Sequence, residues 1–202
     1  MRKKEQRFFS KKNMIGIFIV LIMVMSGIGF VVMQNPGSDS TAEYNGYSFT
    51  SPAFGEWYTK IGERSIKFTY HPKEIENIII EGDALNYILN TKMVYIAFSP
   101  EDRNIQEIEL ARLGLENELP MGFGIFPISG VTEPGDRYNA FTRVDCSNAT
   151  LFVPVILFRT SEEAAGPMIR TEGSCIILEA QSSKDIQALK DRLLYGLYRI
   201  ID

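Results

Sequence analysis

Residues whose types could carry chemistry are few in this chain. It has two cysteines, Cys146 and Cys175, and one histidine, His71. A redox pair usually relies on the C-x-x-C spacing that lowers a thiol pKa, and that spacing is missing. Two cysteines and one histidine also fall short of the four ligands of a structural zinc. A disulfide between Cys146 and Cys175 is the favoured reading, since both fall in the part assigned below to an oxidising compartment. Closing a loop of ~30 residues would stabilise the fold by about 3.6 kcal/mol in the chain-entropy model.

Any Ser-His-Asp or Cys-His device in the chain must pass through His71, which stands before Pro72 at the end of a predicted strand. No G-x-S-x-G elbow accompanies it. The acids Glu81, Asp83, Glu101, Asp102, Glu133, Asp136 and Asp145 sit near predicted turns, where a carboxylate pair or a divalent cation site can be built. None has the D-x-D-x-D-G spacing, and acids at such places more often cap helices or solvate loops. No catalytic, cofactor-binding or metal-ligating residue is therefore expected. Asn148-Ala149-Thr150 is an acceptor sequence for N-glycosylation, which makes Asn148 a possible modification site. Gly122 and Gly124 lack the G-K-[ST] ending of a phosphate loop and read as turn glycines.

The elements that must position these residues follow from pattern. YNGYSFT (44–50) reads as a strand, and EWYTKI (56–61) and SIKFTY (65–70) as a hairpin joined by Gly62-Glu63-Arg64. A helix is expected over 83–90 and a buried strand over MVYIAF, 93–98. A longer helix starts at Ser99-Pro100 or a few residues later, carries Ile105, Ile108, Leu110, Ala111, Leu115 and Leu119 on one stripe, and stops at Pro120. The runs 122–131 and 151–158 each contain a proline, which places a strand at a sheet edge or delays its start. CIILEA (175–180) is a buried strand. Ser182 and Asp185 then cap a helix that runs through Ile186, Leu189, Leu193, Leu197 and Ile200. Leu194, Tyr198 and Ile201 form a second apolar line on it, suited to core burial or to a partner. The expected class is α/β or α+β, with one mixed sheet covered by about two helices.

Before this domain lies a different kind of sequence. Residues 14–33 are twenty positions with no charge and with Ser26 as the only polar side chain, enough to span a hydrocarbon core. The run outlasts the apolar core of a secretory signal, so an uncleaved anchor is favoured over a cleaved leader. Six Lys/Arg precede it and the next basic residue is Lys60, which puts the N-terminus inside. The expected plan is a basic cytoplasmic tail (1–13), a transmembrane helix (14–33), a polar linker (34–43) and an extracytoplasmic domain (44–202). Of the chain's 21 basic and 25 acidic residues, 15 and 24 lie beyond residue 33. A surface that acidic repels phosphate backbones, so nucleic acid is not an expected partner.

The phrases MVYIAFSP, VDCSNAT, GSCIILEA and KDRLLYGLYRI resemble those of a group of membrane-anchored archaeal surface proteins. The resemblance covers about residues 45–202 and implies a location outside the membrane, with no activity attached. On the sequence, the expected function is a non-catalytic, membrane-anchored interaction module, with another envelope protein as its partner. The alternative is an extracytoplasmic hydrolase using Asp/Glu with His71 or a divalent metal. That alternative requires a cleft where two or more of the named acids converge.

Overall fold

A computed structural model describes residues 15–24 and 40–201. Residues 15–24 are helical (α1). The remainder of the predicted 14–33 span, the basic tail and residues 34–39 of the predicted linker lie outside the described residues. Among the described residues no helix is long and apolar enough to cross a membrane.

The chain from Thr41 onward forms one compact unit. It contains two sheets, where the sequence led us to expect one. The first is an antiparallel meander of β1 (Ser40–Tyr44), β2 (Tyr47–Ala53), β3 (Glu56–Ile61) and β4 (Arg64–Phe68), in that spatial order. Strand β1 begins within the stretch assigned to the linker. The predicted hairpin is present, with Thr59 opposite Ile66 and Trp57 opposite Phe68. Two short helices follow, α2 (Pro72–Ile75) and α3 (Ala84–Leu89).

The second sheet holds β5 (Met93–Phe98), β6 (Phe126–Val131), β7 (Thr142–Arg143), β8 (Val155–Thr160), β9 (Met168–Glu172) and β10 (Cys175–Ala180). Its order is β7-β6-β5-β8-β10-β9, and every neighbouring pair is parallel except β9 with β10. Both predicted effects of proline occur. Pro127 lies on a stretch of β6 that β7 does not cover, and Pro154 delays β8 until Val155.

Helix α4 (Ile105–Phe123) runs through Pro120 and ends three residues later. A proline one turn from a C-terminus removes only one hydrogen bond, and the end is set instead by Gly124 in the left-handed conformation, φ 66°. There the amides of Gly124 and Ile125 close onto the carbonyls of Pro120 and Leu119. Gly122 belongs to this helix rather than to a turn. A Cβ there would lie 2.1 Å from the Tyr198 hydroxyl, so glycine admits that ring. Leu110, expected on the buried stripe, is exposed.

Helix α5 (Ser183–Leu197) starts at the predicted cap, where the Ser182 amide donates to Asp185 Oδ2 at 2.8 Å. It touches both sheets. Ile186, Leu189 and Leu193 share one apolar core with Ile96, Ile156 and Ile176 of the larger sheet and with Phe49 and Phe68 of the meander. Its second apolar line also resolves as core: Leu194 and Ile201 are buried, and Tyr198 bonds Glu118.

The other face of the larger sheet carries a smaller cluster of Ala97, Val155, Leu157, Cys175 and Ile177. Val144, Cys146 and Ala149 pack over it. The Cys146–Cys175 disulfide, with Cα atoms 5.1 Å apart, pins that covering segment to β10.

Candidate functional site

The connections of the larger sheet create an opening at one end. From the end of β5 the chain passes through α4 to β6 on one side, while β8, lying against β5 on the other side, passes through β9 to β10. Chain leaving the carboxyl ends of β5 and β8 therefore diverges, and a crevice forms outside them. In open α/β sheets this switch point is where ligands bind. Here it holds a cleft of ≈ 500 Å³, within the range of small-molecule sites.

Four segments build the cleft. Ser99 and Asp102 come from the β5–α4 loop, Thr132 follows β6, and Arg159 and Thr160 end β8. The fourth wall is Asp145, Cys146 and Ser147, at and beside the short 3-10 turn Cys146–Asn148. Leu157 and Phe158 supply the apolar part of the lining. The disulfide thus holds one wall of the cleft as well as covering the sheet.

The carboxylates are largely engaged. Asp102 Oδ1 accepts the Asn104 amide at 2.9 Å and Oδ2 accepts the Thr160 amide at 3.2 Å, tying the β5–α4 loop to β8. Asp145 Oδ1 accepts the Ser147 hydroxyl at 2.6 Å and the Ser147 amide at 2.8 Å. These bonds hold the Asp145 carboxyl below its ordinary range, so it stays ionised. Glu133 accepts from the Ser99 hydroxyl. Arg159, by contrast, forms no ion pair or hydrogen bond among the described residues. The cleft offers a cation, two fixed carboxylates and four hydroxyls, a set that binds a polar ligand by hydrogen bonds.

Of the seven acids singled out in the sequence, Asp102 and Asp145 line this cleft, and Glu133 reaches its margin through Ser99. Glu81, Asp83, Glu101 and Asp136 do not line it. Asp83 is the N-cap residue of α3. Among the described residues, no group of three or more His, Cys, Asp or Glu is placed to hold a metal ion.

His71 sits elsewhere. It caps α2, its Nδ1 accepting the Lys73 amide at 3.3 Å, which places the ring proton on Nε2. Phe49 and Trp57 surround it, with ring centroids at 5.1 and 4.7 Å. Burial lowers its pKa and keeps it neutral. The histidine expected at the end of a strand is instead the buried N-cap of α2.

Sequence reasoning missed the polar groups of the helix layer. Asp191 is fully buried in α5, where Oδ2 accepts the amides of Thr69 and Tyr70 at 2.7 and 2.9 Å. Burial raises its pKa, opposed by Lys190, whose Nζ lies 2.5 Å from Oδ1. Nearby, the Tyr195 hydroxyl donates to the Tyr70 carbonyl at 2.7 Å, and burial drives its pKa far upward. A polar stripe on an amphipathic helix gives no warning of this, since it ordinarily faces water.

At the opposite ends of the parallel strands, Phe126, Leu151 and Phe152 are exposed. Phe126 and Phe152 flank the start of β5, tied there by bonds to the Lys92 carbonyl and from the Thr91 hydroxyl. This apolar edge is separate from the cleft. In comparison with known proteins, no family model, curated protein or solved structure matches this chain.

Proposed function

We propose that this chain is a membrane-tethered, non-catalytic binding module that acts outside the cytoplasmic membrane. Its ligand site is the cleft at the ends of β5 and β8. The uncharged run 14–33 and the six basic residues before it support the tether and its direction. The observation that carries the binding reading is the state of the cleft's polar groups. Its carboxylates are fixed by backbone and hydroxyl donors, whereas the side chains of Arg159 and Thr132, which also line the cleft, form no hydrogen bond among the described residues, which suits recognition better than proton transfer. The ligand is polar and of small-molecule size, or is the polar tip of an envelope protein's loop.

A photo-activatable residue placed at Thr132 or Ser147 of the full-length protein, irradiated in native membranes, tests this. Adducts at both positions, with none at Lys60 of the meander, are expected. No adduct, or equal labelling at all three positions, would overturn the assignment.

One observation favours the hydrolase reading: Asp102 and Asp145 share this cleft. A glycosidase pairs a general acid with an ionised carboxylate; Asp145, held ionised, suits only the second part, and both oxygens of Asp102 are already taken by backbone amides. Retained ligand capture in an Asp145→Asn variant, without loss of any measurable glycoside turnover, separates binding from hydrolysis.

A further inference from the structure

We propose that Asn148 is N-glycosylated and that its glycan stands at the rim of the cleft. This rests on the reading that the folded domain lies outside the membrane. Asn148-Ala149-Thr150 is the one Asn-x-Ser/Thr sequence in the chain. The structure adds three facts to the motif. Asn148 and Thr150 are both exposed, on the short segment that covers the second face of the sheet. Asn148 Oδ1 accepts the Asp145 amide at 2.9 Å, which fixes the orientation of the side-chain amide. Nδ2, the atom that is glycosylated, is thereby left without a hydrogen bond among the described residues and open to modification.

The co-reactant is an oligosaccharide carried on a lipid phosphate. A bond forms from Nδ2 to the anomeric carbon as the bond from that carbon to the phosphate oxygen breaks. The electron pair leaves with the lipid phosphate, and one Nδ2 proton passes to the transferase's base. No electron acceptor is needed.

Position gives the glycan a consequence. The three residues before Asn148, namely Asp145, Cys146 and Ser147, line the cleft. The disulfide two residues away and the capping bonds of Asp145 hold the attachment point firmly. A glycan there screens the mouth of the cleft from a broad protein face and leaves it open to a small polar ligand or a slender loop tip.

Full-length protein taken from native membranes tests the inference by mass spectrometry. Trypsin cleaves after Arg143 and Arg159, releasing residues 144–159 with Asn148 inside. The expected result is a glycan mass on that peptide, lost equally in N148Q and T150A and retained in T150S. Mapping without reduction separates the two premises. A bare Asn148 with Cys146 still linked to Cys175 overturns glycosylation and leaves the outside location standing. A bare Asn148 with both thiols free overturns both.

Discussion

Two regions of this domain use polar side chains in opposite ways. Under the meander, His71, Asp191 and Tyr195 are shut into the core and bonded to the backbone. They fasten the meander and α2 to α5 and have no opening to work through. At the ends of β5 and β8 the polar groups line an open cleft. A perturbed titratable group is thus not by itself a functional one. Strong upward shifts belong to Tyr195 and Tyr198, which hold the layers together, whereas the cleft residue with a resolved shift, Asp145, is merely kept ionised.

The largest effect is expected from Asp191→Ala. It strands Lys190 and two half-buried amides, and the expected loss is about 3–5 kcal/mol of unfolding free energy. Denaturant unfolding checks it, and capture at the cleft should survive wherever the variant remains folded. Next comes the Cys146→Ser/Cys175→Ser double variant. Its unfolding free energy should fall by up to about 3.6 kcal/mol. Unlike Asp191→Ala, it should also abolish labelling from Ser147, because the cleft wall is released. Equal effects of the two variants on labelling would erase the distinction between the regions.

His71 sharpens the contrast through pH. Its pKa is lowered in the folded state from the ordinary 6.5, so the unfolded chain takes the proton first. Stability from this residue is complete above about pH 6.5 and is lost as pH falls toward the folded value, by at most about 1.4 kcal/mol per pH unit. His71→Asn keeps an acceptor for the α2 cap and should flatten that acid limb, with ligand capture unchanged. The smallest effect is expected for Phe152→Ser. That ring is 85% exposed, and unfolding should change by less than about 0.5 kcal/mol.

Much of the frame was legible because it rests on local patterns. The capped α5, the buried strands at 93–98 and 175–180 and the hairpin over 56–70 follow from spacing, and the cysteine pairing from there being only two cysteines, both in the part assigned to an oxidising compartment. Strand β9 escaped notice because MIRTE is polar, a composition allowed at an edge where Arg170 pairs with Glu172 and Glu179. The continuation of α4 past Pro120 depends on the left-handed Gly124, which the sequence offers without saying which of two glycines would take it. The buried charges were hidden because α5 touches both sheets, so its polar face meets the meander instead of water.

The candidate site was legible only in fragments. Asp102 and Asp145 were singled out as acids at element ends, but Arg159 and Thr160 read as the ordinary close of a strand. What unites them is the switch point between β5 and β8. That is a property of strand order, which no short window of sequence contains.

Whether the cleft at the ends of β5 and β8 holds a ligand in the membrane is read by hydrogen exchange and mass spectrometry on the full-length protein, comparing native membranes with the purified, dialysed state. Slower exchange is expected in native membranes over 99–104 and 145–149, with no change over 65–70 and 191–195. Unchanged exchange around the cleft, or protection confined to the meander, would contradict the proposed ligand site.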